Sequence, residues 1–489
     1  MKKKDILFTL VVLLSLFAIS YYFSKKTFQN DTFYTIKIGE SIIKNGIDMK
    51  EHFSWINGLC YSYPHYLYDL IIYFIYSLGG FHLVYLSTIL FGFILLLLMY
   101  LFSKKITNNK FLSLTLVYLS SFGIRIFFTA RAQLLSIIFL LISIYLIELL
   151  RDNYKKKYLV FLFITSFLIA SIHAAVWPLL LILFLPYLAN DIIYLINKKY
   201  NFKFINNYNI IIDKSKIKNT INGFISCFIA GLIVPNRNSA FTYFIKIKQG
   251  NSMNYITEHF PTTIEKRPEI FVVLLIFIIF LLNKKNKIRL KDLFMISGLF
   301  LLSLLSVRNT SLFMILSIIS FSRIFKDIRT NEIDFLINKR LSKLIIILVS
   351  IFTIFILKIN RSMVNYVNKK EYPTEASNYI INNLDYKNIR LFNEYNYGSY
   401  LLYRDIPVFI DSRSDLYMEE FNDGVTVFND FMNIEDNYEE TFEKYDITHI
   451  IIKNDSFLYQ ILRLNHNYKE LYSDKYFTIY VVEGKDLNE

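Results

Sequence analysis

Residues 2–23 read KKKDILFTLVVLLSLFAISYYF, three lysines followed shortly by an uncharged, mainly apolar run from Ile6 to Phe23. About 20 such residues are needed to cross the hydrocarbon core of a bilayer as a helix. A secretory signal peptide begins in the same way, but no small-residue cleavage site follows this run. The stretch therefore predicts a retained first transmembrane helix whose amino terminus is cytoplasmic.

The composition of the whole chain agrees with this first segment. Of 489 residues, 54% are hydrophobic and only 19% are charged, and the mean hydropathy is +0.37. Soluble domains carry about 25% charged residues, so the soluble class is excluded. The apolar content excludes disorder, 14 Gly and 8 Pro exclude collagen-like or linker-like sequence, and two cysteines exclude a disulfide framework. An α-helical polytopic membrane protein remains.

The net charge of +14 is unevenly spread along the chain. From Pro373 onward there are 22 acidic and 10 basic residues, which leaves 18 acidic and 44 basic residues before it. The basic residues stand in short clusters between apolar runs, as the positive-inside rule expects of cytoplasmic loops. We therefore attribute the excess of basic residues to cytoplasmic loops of a membrane protein and exclude nucleic acid as a partner.

Placing these clusters in the cytoplasm predicts a multi-pass protein of the plasma membrane with about eleven transmembrane helices and an extracytoplasmic carboxyl terminus. The predicted spans are residues 6–23, 82–103, 111–128, 133–150, 158–174, 176–196, 220–236, 269–283, 292–307, 309–323 and 343–358. The run 66–78 is too short to span and rich in tyrosine, so it predicts an interfacial helix. Two outer loops follow from this topology, residues 24–80 and 236–268.

The acidic carboxyl-terminal part predicts a second domain. Residues 1–358 would form the membrane domain, and residues 359–489 a small extracytoplasmic α/β domain. Its predicted helices are 374–383, 438–445 and 457–464, and its predicted strands are 389–393, 407–410, 449–453 and 477–482. The segment Asp411-Ser412-Arg413-Ser414-Asp415 allows either a metal site or an arginine paired between two aspartates.

This architecture resembles the GT-C superfamily, polytopic glycosyltransferases that take a sugar from a polyprenyl-phosphate lipid. The resemblance lies first in the outer loop, where Asn30-Asp31-Thr32-Phe33 follows the first span and Tyr63-Pro64-His65-Tyr66-Leu67 opens an interfacial helix. The superfamily includes protein O-mannosyltransferases, the aminoarabinose transferase of lipid A and the catalytic subunit of oligosaccharyltransferase. The resemblance implies an inverting transferase with an acidic residue just after the first span.

A bacterial branch of this superfamily with an external carboxyl-terminal domain is more similar still. Its pattern is matched by Tyr397-Gly398-Ser399-Tyr400-Leu401 and by Phe409-Ile410-Asp411-Ser412-Arg413. Two departures are evident. Thr32 stands where many members carry a second carboxylate, and the Trp-Trp-Asp-Tyr-Gly motif of oligosaccharyltransferases is absent. The second departure argues against glycosylation of peptide asparagine.

Sugar transfer from a lipid phosphate needs a base for the acceptor hydroxyl and cations for the leaving phosphate. The resemblance implies Asp31 as the base. Membrane-edge arginines are expensive to place and usually functional, so Arg308 and Arg131 are candidates for binding the donor phosphate, with Arg125 in reserve. Each also allows a plainer interpretation, a solvated aspartate or an interfacial arginine with its charged end in water.

Further polar and aromatic residues map to the outer rim and are candidates for substrate binding. A carbohydrate is recognised by hydrogen-bonding side chains and by aromatic faces, which these residues supply. No histidine spacing supports a metal, so no cofactor is assigned and a divalent ion is left open. The candidates are His65, His173, Glu258, His259 and Trp55.

Three functions compete. The first is a glycosyltransferase that moves a sugar from a polyprenyl-phosphate donor to a cell-surface glycan, lipid or protein. The second is a transporter or flippase for a lipid-linked saccharide, although internal repeats and broken helix pairs are not evident in the sequence. The third is a non-catalytic envelope assembly protein that retains the fold.

Overall fold

The computed structural model describes most of the chain, and its contacts divide the chain into two compact units. The described residues are 3–200, 210–236, 239–250, 255–282, 287–327, 351, 353, 355 and 365–484. The first unit comprises Met1–Lys25, Tyr85–Phe241 and Ile256–Met363. The second comprises Lys26–Val84, Thr242–Tyr255 and Val364–Glu489. The predicted outer loop 24–80 therefore falls almost wholly in the same unit as the carboxyl-terminal residues.

Helices dominate the amino-terminal three quarters of the chain. In chain order these helices are α1 Lys3–Phe23, α2 Asn30–Asn45, α3 Tyr66–Thr107, α4 Lys110–Ile124, α5 Ala132–Asp152, α6 Lys156–Ile172, α7 Trp177–Ile182, α8 Leu185–Tyr200, α9 Ile217–Leu232, α10 Ser239–Gln249, α11 Pro268–Leu282, α12 Leu290–Leu305, α13 Thr310–Leu316 and α14 Ile318–Asp327. A short parallel pair of strands, β1 Ile210–Ile211 and β2 Ile288–Arg289, lies among them.

Helices occupy each predicted span up to residue 323, whereas the predicted span 343–358 lies mostly outside the described residues. Within the described part of the chain, four segments are long and apolar enough to cross a membrane, and two shorter apolar helices accompany them. The four are Tyr66–Thr107, Lys110–Phe127, Ala132–Asp152 and Ala174–Tyr200, and the two are Phe8–Phe23 and Pro268–Leu282. Membrane character is therefore supported, and the number of eleven spans stays a prediction.

Helix α3 is broken where the sequence predicts the end of an interfacial helix. Gly79 and Gly80 have non-helical dihedral angles, with φ of −170° and 59° and ψ of 30° and −155°. The positive φ of Gly80 lies in a region that side chains with a Cβ rarely adopt, so glycine is required there. The segments before and after this break are two helices, as predicted.

Buried ion pairs tie together several helices of the first unit. Glu148 of α5 accepts from Lys291 at 2.9 Å and from Arg323 at 2.9 Å, and Arg323 also pairs with Asp292 at 2.5 Å. All four side chains are nearly inaccessible to solvent. Lys291 and Arg323 belong to predicted cytoplasmic clusters, but they act here as buried partners that cross-link α5, α12 and α14.

The second unit contains a four-stranded sheet. Its strands are β3 Leu391–Phe392, β4 His449–Lys453, β5 Tyr468–Ser473 and β6 Phe477–Val482, in the order β3-β4-β6-β5. The β3–β4 pair is parallel and the other two pairs are antiparallel. The helices of this part are α15 Thr374–Asn383, α16 Tyr395–Tyr403, α17 Val427–Met432, α18 Ile434–Lys444 and α19 Phe457–Leu462.

Six of these nine elements were predicted; helices α16 and α17 and strand β5 were not, and one predicted strand is not formed. Residues 407–410 form no strand; Val408 makes only an isolated bridge to Ser54 of the first loop. Strand β5 was not predicted because it lies at the edge of the sheet and alternates poorly between buried and exposed positions. An edge strand pairs on one side only, so its sequence is less constrained to an apolar pattern.

Helix α2 of the first loop packs against α16, and this contact orders the segment that carries Asp31. Phe33 is completely buried, with its ring 4.9 Å from that of Tyr372 and 5.2 Å from that of Tyr400. Gly398 of α16 abuts the carbonyl of Ile410, and any Cβ there would collide with that oxygen. The glycine of the aromatic-Gly-x-Tyr pattern is thus required by close backbone approach.

Candidate functional site

Four predicted site residues meet in the first unit, and we call them the arginine–histidine cluster: Arg131, His173, Glu258 and Arg308. Three of them lie where an α-helix begins or ends, and Glu258 lies in a loop. Arg131 is the residue before α5, His173 follows α6, Glu258 lies in a 3₁₀ turn at 257–259, and Arg308 lies in a 3₁₀ turn at 307–309. Helix ends are where a polar side chain leaves the apolar helix packing.

The two 3₁₀ turns of this cluster are joined through the backbone. Val307 donates its N–H to the carbonyl of Phe260 at 3.0 Å, and the Ser306 hydroxyl donates to the carbonyl of Glu258 at 2.8 Å. The turn with Glu258 therefore has a fixed position relative to the turn with Arg308. These bonds join the predicted second outer loop to the end of α12.

Glu258 accepts two hydrogen bonds from Arg131. The Nη1 atom of Arg131 lies 2.8 Å from Oε1 and 3.0 Å from Oε2 of the carboxylate. Burial alone would raise the pKa of Glu258, but the charges of Arg131 and Arg308 outweigh it and hold the pKa below its usual range. His259 adds a smaller contribution in the same direction.

His173 is buried and links Arg308 to helix α5. Arg308 Nη2 lies 3.2 Å from Nε2 of the imidazole, and Nδ1 lies 3.3 Å from the hydroxyl oxygen of Ser136. A guanidinium can only donate, so Nε2 must accept and the ring proton must sit on Nδ1. His173 is therefore a neutral imidazole that holds one edge of the Arg308 guanidinium.

The net charge and the hydrogen-bond donors of the arginine–histidine cluster suit the binding of an anion. Arg131 and Arg308 are cationic, Glu258 is anionic and His173 is neutral, so one positive charge remains in excess. A guanidinium presents five N–H donors in a plane, which matches the oxygens of a phosphate. Arg125, the reserve candidate, lies in the exposed 3₁₀ turn at 125–127 of the same unit.

Asp31 belongs to the second unit, in the first turn of α2. The preceding residue fixes this turn, because Asn30 donates through Nδ2 to the carbonyl of Tyr395 at 2.8 Å. Nearby Tyr372 has a pKa above its usual range owing first to burial and then to the negative charges of Glu371 and Asp31. Asp31 is thus half-buried at a helix start that is tied to Tyr395.

Two further candidates, His65 and Trp55, also lie in the second unit. His65 directly precedes α3, and its carbonyl accepts the N–H of Asp69 at 3.0 Å. Trp55 donates its indole N–H to the carbonyl of Leu391 at 3.0 Å and packs on Phe409. The indole of Trp55 therefore anchors the first loop to β3, and the sugar-stacking role proposed for it stays a prediction.

The segment 411–415 contains an arginine held between two carboxylates, and one of them comes from the first loop. Arg413 donates to Asp411 at 2.9 and 2.6 Å and to Glu51 at 2.7 and 3.0 Å. These three side chains are at most 3% exposed. The ring of Tyr61 lies 5.0 Å from the guanidinium carbon. Glu51, and not Asp415, is thus the second carboxylate of the pair.

Metal ligation was the other interpretation of this segment. Among the residues that the structure describes, His, Cys, Asp and Glu side chains form no group of three or more that could hold an ion. Asp415 is buried, and its burial raises the pKa to about 6 although Arg413 acts in the opposite direction. Asp411 is fully engaged by Arg413 and by the hydroxyl of Tyr417 at 2.7 Å.

Two partners in these sites were missed by reasoning from the sequence. Ser136 orients His173 from within an apolar helix, where a single serine carries no signal of its own. Glu51 pairs with Arg413 across 362 residues of sequence, and a single sequence gives no indication of such a contact. The pairing of Arg131 with Glu258 was equally unforeseen, although both residues were separate candidates.

Comparison with known proteins gives a likeness in fold alone. The crystal structure of the Archaeoglobus fulgidus oligosaccharyltransferase in its apo form matches with a TM-score of 0.58 and 12% sequence identity. The match covers 92% of this chain and 70% of that chain. No family model matches this chain, and no curated protein does so either. At this identity the likeness concerns the fold, and it agrees with the expected class of helical membrane protein.

Proposed function

We propose that this protein is a membrane glycosyltransferase. It moves a sugar from a polyprenyl-phosphate-linked donor to a glycan, lipid or protein at the outer face of the plasma membrane. The fold likeness to an oligosaccharyltransferase supports glycosyl transfer in general. We further propose the donor, the acceptor and the roles of individual residues.

One observation carries the proposal, the presentation of Arg308 by a buried neutral histidine in a fold of the GT-C type. A neutral imidazole accepts from the guanidinium without cancelling its charge, so the arginine stays oriented and cationic. Preorganised positive charge of this kind stabilises a leaving phosphate more strongly than water does, because it needs no reorganisation during the reaction. Arg131 and Arg308 are therefore assigned to the donor phosphate.

The reaction is a single displacement. The acceptor hydroxyl oxygen bonds to the anomeric carbon of the donor sugar, and the bond from that carbon to the phosphate oxygen breaks. The hydroxyl proton passes to the carboxylate of Asp31, and the polyprenyl phosphate leaves with the electron pair of the broken bond. Attack from the face opposite the phosphate inverts the anomeric centre.

Glu258 has a positioning role in this scheme, since it holds the Nη1 end of Arg131. His65, His173, His259 and Trp55 keep their proposed contacts with the substrate or its surroundings. His173 acts through Arg308, so we assign it as a positioning residue. The non-catalytic assembly protein and the lipid-linked saccharide transporter are the outcomes that the test must separate from transfer.

The test is a transfer assay on purified full-length protein. Radiolabelled polyprenyl-phosphate sugars are offered with a membrane glycan extract, and the native protein is compared with Asp31→Asn. Asp423→Asn is the matched control, because Asp423 is an exposed aspartate of the same unit. Transfer that is lost in Asp31→Asn and kept in Asp423→Asn supports the assignment.

The other possible results of this assay contradict either the role of Asp31 or the transferase itself. Transfer that survives in Asp31→Asn contradicts its role as base and moves the search to Glu40, Glu51 or Glu258. All three are already paired: Glu40 with Lys37 and Lys44, Glu51 with Arg413, and Glu258 with Arg131. Donor binding without transfer by native protein contradicts the enzyme and favours a transporter or an assembly protein.

A further inference from the structure

We propose that a cleft in the second unit is a binding site for a neutral saccharide. The cleft has a volume of about 570 Å³ and lies between helix α15, the residues just before it, and strand β5. The volume falls within the range of roughly 300–1,000 Å³ typical of sites for small ligands. None of its lining residues is among the site residues assigned above.

Two tyrosines form the aromatic part of the cleft. Tyr379 of α15 and Tyr472 of β5 stack with ring centroids 4.8 Å apart and an angle of 28° between the rings. The stack joins the helix to the edge strand and gives both rings a fixed orientation. Each ring has one face in the stack, and its other, negative face can attract the C–H groups that cover one side of a sugar ring.

The polar side chains of the cleft can form hydrogen bonds with the hydroxyl groups of a sugar. Asn378, Asn382 and Glu375 project from the same helix and line the cleft. A carboxamide both donates and accepts, as a sugar hydroxyl does, so paired hydroxyls can be met in both directions. Asn378 is oriented by Arg404, whose Nη2 donates to its Oδ1 at 2.9 Å, and its amide N–H groups are therefore turned away from that partner.

The charge of the cleft selects a neutral ligand. Lys369 and Glu375 line the cleft and pair with each other at 2.7 Å, so their charges cancel. An uncompensated cation, which a phosphate or an acidic polymer would require, is not among the lining residues. Large aliphatic side chains are not among them either, and a lipid chain would need these.

We assign the cleft as a subsite for the acceptor glycan, and this assignment rests on the proposed function. The binding itself does not depend on transfer and is measured without donor. Saccharide binding without sugar transfer would support the binding site and contradict the transferase. Transfer with no binding would leave the transferase standing and contradict the cleft.

The experiment uses full-length protein in detergent on an array of oligosaccharides. The probes are neutral oligomers of glucose, galactose, mannose and N-acetylglucosamine, together with sialylated and uronic acid oligomers. The strongest hit is then titrated by calorimetry against four proteins. These are the native protein, Tyr379→Ala, Asn382→Ala and Tyr476→Ala, whose substituted tyrosine lies in the same hairpin as Tyr472 but outside the cleft.

We expect a neutral oligomer to bind, with affinity at least tenfold weaker in Tyr379→Ala and threefold weaker in Asn382→Ala. Tyr476→Ala should stay within twofold of native protein. Asn382 is exposed, so its replacement tests the cleft without disturbing the stacked rings. Absence of binding by every neutral probe, or equal affinity in all four proteins, would overturn the proposal. So would stronger binding of an acidic oligomer than of any neutral one.

Discussion

Replacing Arg413 by methionine should destabilise the second unit more than any surface change. The guanidinium makes four hydrogen bonds to two carboxylates, and its removal leaves Glu51 and Asp411 facing each other with two buried negative charges. Removing one member of a buried ion pair costs about 3–5 kcal/mol. For a unit of this size that corresponds to a fall in melting temperature of about 6–20 °C.

A matched control separates this loss from the general effect of losing an arginine. Arg390 pairs with Asp446 at 3.2 Å in the same unit, but both side chains are at least half exposed. Exposed pairs contribute about 0–1 kcal/mol, so Arg390→Met should lower the melting temperature by about 4 °C at most. The melting temperature of Glu51→Gln should lie between those of Arg413→Met and Arg390→Met, because this substitution removes the excess negative charge and keeps an acceptor for Arg413.

The assay can report on the second unit alone. The chain has two tryptophans, and of these Trp55 lies in the second unit, bonded to Leu391. In a Trp177→Phe background the thermal change in tryptophan fluorescence therefore follows Trp55. If Arg413→Met and Arg390→Met melt within 2 °C of each other, the buried pair does not stabilise this unit and the reasoning is refuted.

Three other changes test the sites. His173→Phe should lower kcat about tenfold, because Arg308 is no longer held in position to stabilise the leaving phosphate, whereas His173→Gln, whose amide oxygen still accepts from Arg308, should stay near native; equal losses in both would contradict a positioning role. Gly398→Ala should lower the melting temperature in the Trp55 assay, since its Cβ meets the neighbouring backbone, and an unchanged value would refute that contact. The pKa of Glu258 is lowered from its ordinary value of 4.5 in the folded state, so its contribution to stability is complete above the unfolded pKa and is lost as the pH falls through the folded value. The melting temperature of Glu258→Gln should therefore fall less steeply than that of native protein as the pH is lowered below 4.5, and an equal fall would show that the pairing with Arg131 adds no stability.

Local pattern predicted the helices well and the contacts between them poorly. The apolar runs gave the helix positions up to residue 323, and the two glycines at 79 and 80 gave the break in α3, because these features act within a few residues. Strand β5 was not predicted, because an edge strand needs no alternating pattern of apolar and polar residues. Elements with strong local periodicity are thus the ones that the sequence determines.

The candidate sites show the same division. Arg131, His173, Glu258 and Arg308 were each selected as polar residues beside apolar runs, and they meet in one cluster. Which of them pair was not foreseen, because pairing depends on how distant loops pack. The aspartate–arginine segment was predicted as an ion pair or a metal site, and the carboxylate that decided it came from a different part of the chain.

The joining of the first loop to the carboxyl-terminal residues has a consequence for biosynthesis. Residues 26–84 leave the ribosome long before residues 364–489, yet Glu51 and Arg413 complete a single buried network. Until the last quarter of the chain is made, Glu51 must remain hydrated and helix α2 lacks its partner α16. Assembly of this unit is therefore delayed until the end of synthesis, and a fragment that begins at residue 359 lacks residues 26–84 and 242–255 of the same unit.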